Sequence, residues 1–216
     1  MKTKTKSILT VCLALALVAT AVLGTIAYMT AQDSKTNTFT VGSFNKPTDP
    51  ENPGAGELSS YILEKKWDAA TEHKLVPGSS IDKDPKVGIG ENSEEAWVYV
   101  YVENAVLKDS VTGKYVTFTL NSGWEAVAGK VVEGDTAGTY VSGLFKFKTT
   151  IGADKDHLWT DTVFDKVNVS SDANTGDFAD SPTMTVYAFI HQANDGNGAI
   201  DTTAIENAAK TWAAGL

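Results

Sequence analysis

Two stretches restrict the fold more than anything else in these 216 residues. "AWVYVYVEN", residues 96–104, sets Ala96, Val98, Val100 and Val102 against Trp97, Tyr99 and Tyr101. "MTVYAFIHQ", residues 184–192, repeats the arrangement, with Met184, Val186, Ala188 and Ile190 opposite Tyr187, Phe189 and His191. A period of two is the period of a strand, in which successive side chains leave opposite faces. Aliphatic residues on one face suit the interior of a sandwich. Aromatic rings with polar tips on the other suit a surface covered by something partly wet. Shorter strand-like runs lie at "LSSYILEKKW" (58–67), "KYVTFTL" (114–120), "YVSGLFKFKTT" (140–150) and "VFDKVNVSS" (163–171). Turn-rich pieces such as "DSVTGK", "EGDTAG" and "SSDANTGD" separate them. Irregular spacing of this kind predicts an all-β, jelly-roll-like antiparallel sandwich over 58–201 rather than an up-and-down barrel.

One helix is expected, over 202–216. Thr203 and Glu206 stand at capping-box spacing, and Ala204, Ile205, Ala208, Ala209 and Trp212 follow as an apolar stripe. Gly215 is placed to end the helix, which should pack on the sandwich through Trp212.

The chain opens as an export signal does. Lys2, Lys4 and Lys6 precede the apolar run "ILTVCLALALVATAVLG" and the small residues of "TIAYMTA". Cleavage is expected after Ala27, making 1–27 the signal peptide, with Ala31 the second candidate. The run is also long enough to span a bilayer, so an uncleaved anchor is the alternative. Cys12 is the single cysteine and leaves with the leader. The mature chain then has neither disulfides nor thiol chemistry, and its stability depends on its core.

Charge narrows the partners. All 18 basic residues are lysines, and the net charge of −9 falls to about −12 without the leader's three. Arginine's planar fork is the usual reader of phosphate and guanine, and an acidic surface repels nucleic acid and anionic membranes.

Residues 28–45 then read as a strand of their own. In "TFTVGSF", Phe39 and Val41 share a face and Phe44 takes the other. Pro47, Pro50, Pro53, Gly54 and Gly56 make 46–57 a linker that can be neither helix nor interior strand. Extended, such a leash would reach on the order of 35 Å. The strand could fold back on its own sheet or reach the edge of the next subunit.

These features together resemble the TasA/camelysin family of SipW-dependent exported proteins of Gram-positive bacteria. The resemblance rests on the leader running into "GTIAYMTAQDSKTNTFTVG" and on "WDAATEHKLVPGSSIDKDPKVGIGENSEEAWVYVYVEN" (67–104). "LWTDTVFDKVNV" (158–169), "VYAFIHQA" (186–193) and the closing "AAKTW" add to it, whereas 105–157 holds nothing diagnostic. It implies a jelly roll and, for TasA-like members, a non-enzymatic subunit of biofilm-matrix fibres, self-associating or joined by other matrix proteins. In such fibres the N-terminal strand of one copy completes the sheet of the next. Thr38, Phe39, Thr40, Val41 and Phe44 would be the donor strand, with signal peptidase the partner during export and no membrane contact after cleavage.

A camelysin-like surface metallopeptidase is the second reading, and a monomeric adhesin or carbohydrate-binding module the third. Against the second, His73, His157 and His191 are far apart and no "HExxH" occurs, so no catalytic, cofactor or metal residue is assigned. "DANTGD" (172–177) and "NDGNGAID" (194–201) are rich in oxygen ligands without the calcium-loop spacing, and turn chemistry explains them equally well. "GSS" at 78–80 lacks the context of a hydrolase nucleophile. Trp97, Tyr99 and Tyr101 could stack on sugars or pack between layers. "KTWAAGL" carries neither an "LPxTG" motif nor an apolar tail with a basic end, so a released extracellular component is expected rather than one bound covalently to the wall.

Overall fold

The two alternating runs become the two longest strands, β5 (Ala96–Leu107) and β10 (Phe178–Gln192), paired antiparallel with Tyr101 opposite Tyr187. The protein is known from a computed structural model that describes residues 30–34, 44–67, 73–154, 156–194 and 198–216. Eight further strands are present among the described residues: β1 (Thr30–Ser34), β2 (Ile62–Leu63), β3 (Ser80–Asp82), β4 (Lys86–Val87), β6 (Val116–Thr119), β7 (Trp124–Glu133), β8 (Thr139–Phe147) and β9 (Lys166–Val169). One large antiparallel sheet runs β1-β10-β5-β8-β6-β9-β3, with β7 also on β8, while β2 and β4 form a separate pair.

The valines of β5 and the aliphatic side of β10 meet the inward residues of the other strands in one core. Val98, Val100, Val102, Val186, Ala188 and Ile190 share it with Val116, Phe118, Phe145, Phe164 and Val167. Phe118 is its centre, stacked on Phe164 at 4.4 Å and edge-on to Phe145 at 5.5 Å. Each fully buried valine or phenylalanine contributes on the order of 1.5–3 kcal/mol, which suits a chain whose described part holds no disulfide. The fold is therefore all-β and sandwich-like, as the alternation implied.

The aromatic side of the same two strands faces α1 (Thr202–Ala213). Tyr99 and Phe189 are buried there with Leu144, Val127, Ile205 and Ala209. Trp212 lies on Phe189, centroids 5.3 Å apart, but it is only half-buried, so Ile205 and Ala209 anchor the helix. Its cap also differs from expectation. Asp201 accepts the Thr203 amide at 2.9 Å, and Glu206 pairs instead with Lys210 at 2.6 Å.

Strand β7 was not foreseen, because its alternation changes phase in the middle. The register with β8 shifts between Ala126 and Val131, at a bulge where Gly129 takes φ 72°. Opposite it, Gly143 at φ 133° lies so close that a Cβ would come within 2.5 Å of the Lys130 carbonyl. Of the run 58–67, only Ile62–Leu63 is strand.

Both β5 and β7 pair with Phe145 and Lys146, so they take opposite edges of β8. Past Val102 strand β5 leaves β8, and β6 takes over its edge at Tyr140 and Thr139. Asn104 fills this fork, donating from Nδ2 to the Val116 and Val141 carbonyls at 3.2 and 3.0 Å.

The linker 46–57 is not an extended leash in this structure. The Leu58 amide donates to the Pro47 carbonyl at 2.8 Å, Thr48 bridges to Glu57, and Pro53–Ala55 turns as a 3-10 helix. Lys65 holds Asp49 at 2.8 Å and Glu51 at 2.7 Å. Hydrogen bonds and ion pairs close it into a compact loop on the body.

Candidate functional site

Strand β10 has two unlike halves. Residues 187–191 pair with β5 on one edge and β1 on the other, from Ser34↔Tyr187 to Thr30↔His191. Residues 183–186 pair with β5 alone, and among the described residues nothing takes their second edge. At the far end of the same sheet, β3 pairs, among the described residues, with β9 alone. Backbone amides and carbonyls on such edges are ready to accept a further strand.

Both edges line one cavity of about 350 Å³. Met184 and Val186 come from β10, Val106 from β5, Val167 from β9 and Ile81 from β3, with Leu75 and Trp67 from the preceding loop. The lining is mainly apolar. One ion pair interrupts it: Lys83 Nζ lies 2.7 Å from Glu64 Oε1, their side chains 5% and 1% exposed. Lys83 Nζ also stands 4.6 Å over the Trp67 ring, and His73 stacks on Trp67 with centroids 3.9 Å apart. Burying two charges costs several kcal/mol that their attraction only partly returns, so the pair fixes this wall more than it stabilises the fold.

The site residues expected from sequence are distributed as follows. Ala31 lies in β1, opposite Ile190. Ala27, Thr38, Phe39, Thr40 and Val41 lie outside the described residues. Phe44 is 5% exposed in the chain's own main core, where its carbonyl accepts the Tyr61 hydroxyl at 2.8 Å. Asn45 is fixed beside it, its side chain donating to the Glu91 carbonyl and its amide to Ser93 Oγ. Phe44 is thus fixed in the chain's own core and could not pass to a neighbouring copy without opening it.

The histidines are not brought together. His73 lines the cavity, His157 is exposed beside Asp154 at 2.8 Å, and His191 directs Nδ1 to the Gln192 carbonyl. Among the described residues no three His, Cys, Asp or Glu side chains gather as metal ligands would. The "DANTGD" loop is a turn closed by Asn174 and Asp177, the Asn174 amide donating to Asp177 Oδ2 at 2.7 Å. In "GSS", the Ser79 hydroxyl donates to the Val76 carbonyl in its own turn. Sequence reasoning did not find the cavity, whose residues come from four strands and a loop with no common motif. Among the described residues no helix is long and apolar enough to cross a membrane. Compared with protein-family models, curated proteins and solved structures, the chain matches none.

Proposed function

We propose that the chain is an exported, non-enzymatic structural subunit that assembles outside the cell by strand addition. Its leader is cut near Ala27, and its jelly-roll-like body receives the N-terminal strand of a neighbouring copy. The carrying observation is the apolar cavity beside residues 183–186 of β10, which among the described residues pair with β5 alone. A strand laid there gains main-chain hydrogen bonds along the edge, and its alternate side chains fill the cavity. The donor is the segment containing Thr38, Phe39, Thr40 and Val41, whose two apolar residues share one face. Phe44 stays at home as the anchor. Because donor and acceptor are different surfaces, repetition is head to tail and yields an open filament. The resemblance to TasA-like fibre proteins supports the same reading.

The test is electron microscopy of the mature chain with Phe39→Asp and Val41→Asp, beside the unsubstituted chain. The unsubstituted protein should form filaments, and the variant should remain monomeric with an unchanged melting temperature. Filaments of equal length in both would overturn the proposal.

A further inference from the structure

The outer face of β5 and β10 is only partly covered by α1. Tyr99 and Phe189 are enclosed beneath the helix, but one row further along, Tyr101 and Tyr187 are half-exposed. Their rings lie 6.4 Å apart and tilt 41° to one another, a shallow V across the two strands. The Tyr187 hydroxyl donates to Glu103 Oε2 at 3.0 Å, which holds an exposed carboxylate at the side of the V. Burial and the Glu103 carboxylate push the Tyr187 hydroxyl above its ordinary range, so it stays a donor and the ring keeps its orientation. Nothing in the packing of the core requires this carboxylate.

Ring faces beside a fixed carboxylate are the chemistry of ammonium recognition: the quadrupole and the negative charge both attract a cation, and the faces accept C–H groups. We propose that Tyr101, Tyr187 and Glu103 form a binding shelf for a polymer of unacetylated amino sugar. A glucosamine unit carries an apolar ring face and an ammonium on the same rigid body, matching two ring faces and one carboxylate. The acidic balance of the chain, net −9, favours a cationic polymer and disfavours uronic acids. A lysine side chain would use the carboxylate and one ring but leave the second unoccupied. The shelf lies on the opposite face of the sheet from the cavity, so its function does not depend on strand addition.

The experiment is calorimetric titration of mature chain with glucosamine hexamer at low salt, beside the N-acetylated hexamer and a lysine hexamer. Tyr101→Ala and Tyr187→Ala should each weaken glucosamine binding about fivefold or more. Glu103→Gln should weaken it as well, while Glu133→Gln, exposed on β7, should not. Tyr187→Phe keeps the ring but releases Glu103, and should weaken binding less than Tyr187→Ala, which separates stacking from a folding defect. Absence of glucosamine binding would overturn the proposal. So would equal loss in the Glu103 and Glu133 variants, which marks diffuse charge attraction. Equal or tighter binding of the N-acetylated or lysine hexamer would likewise overturn the amino-sugar assignment.

Discussion

Strand β10 passes through two different environments, one beneath α1 and against a packed core, the other beside a cavity. From Tyr187 to His191 it is flanked by β1 and β5, lined with core on one face and covered by α1 on the other around Phe189. From Thr183 to Val186 it pairs, among the described residues, with β5 alone, and its inner face borders a cavity. A single strand with one continuous alternation thus runs from a packed half to a half beside a cavity. Nothing in the local sequence marks the change, since the alternation of Met184 and Val186 continues unbroken into Ala188 and Ile190. The difference comes from how the several strands around the cavity pack.

The largest effect should come from the cavity wall. Lys83→Met alone leaves Glu64 buried without its cation and should cost about 3–5 kcal/mol. Lys83→Met with Glu64→Leu removes both charges and should recover most of that loss, as read by urea denaturation. A single variant as stable as the parent would mean that the wall is already wet, and the contrast with the closed half would disappear.

A smaller loss is expected at the boundary between the halves. Asn104 stands opposite Met184, at the point where β5 leaves β8. Asn104→Ala abandons two carbonyl partners and the Val106 amide, and should cost about 2 kcal/mol. The closed half gives a change of opposite sign. The Tyr99 hydroxyl has no hydrogen-bond partner among the described residues although the ring is fully buried, and burial, with Glu206 and Glu125 nearby, pushes its ionisation far up. Tyr99→Phe should therefore stabilise the protein by about 1 kcal/mol, raising Tm by about 2–4 °C. A destabilised Tyr99→Phe would show that α1 sits over a satisfied hydroxyl.

Particular residues show what could be read in advance. The period of Val98, Val100 and Val102 gave both the strand and its buried face, because side-chain direction in a strand is fixed by the backbone alone. Strand β7 escaped because the bulge at Gly129 reverses which residues face inward, whereas β1 lies within the stretch 28–45 read as strand, and Thr30–Ser34 pairs with β10 of its own sheet. The helix was legible from its stripe, but its cap was assigned to Thr203 when Asp201, two residues earlier, had the better reach. The cavity was not legible at all. Glu64, Lys83 and Val186 are distant in sequence, and a void is a property of the packing of several strands rather than of any one segment.

The smallest effect concerns the loop that sets where the N-terminal segment leaves the body. Lys65 holds Asp49 and Glu51, and its hydrogen bond to Asp49 is the main cause that lowers the Asp49 carboxyl below its ordinary 3.8. A carboxyl held lower in the folded state adds stability that is present above its unfolded value and lost as pH falls through its folded one. Lys65, raised by the same contacts, adds stability that is complete below its ordinary 10.5 and lost as pH rises through its folded value. The clamp should therefore hold across neutral pH and release first in acid, below about pH 3.8. The Leu58 amide, bonded to the Pro47 carbonyl at the neck of the loop, reports this directly. Asp49→Asn should lower its hydrogen-exchange protection at pH 7 and leave it equal to the parent's at pH 2, with Gly90, bonded to Asn45, unaffected at both. If Asp49→Asn leaves Leu58 protection unchanged at pH 7, the backbone bonds alone close the loop. If Gly90 loses protection with it, the root at Phe44 and the loop form one unit rather than two.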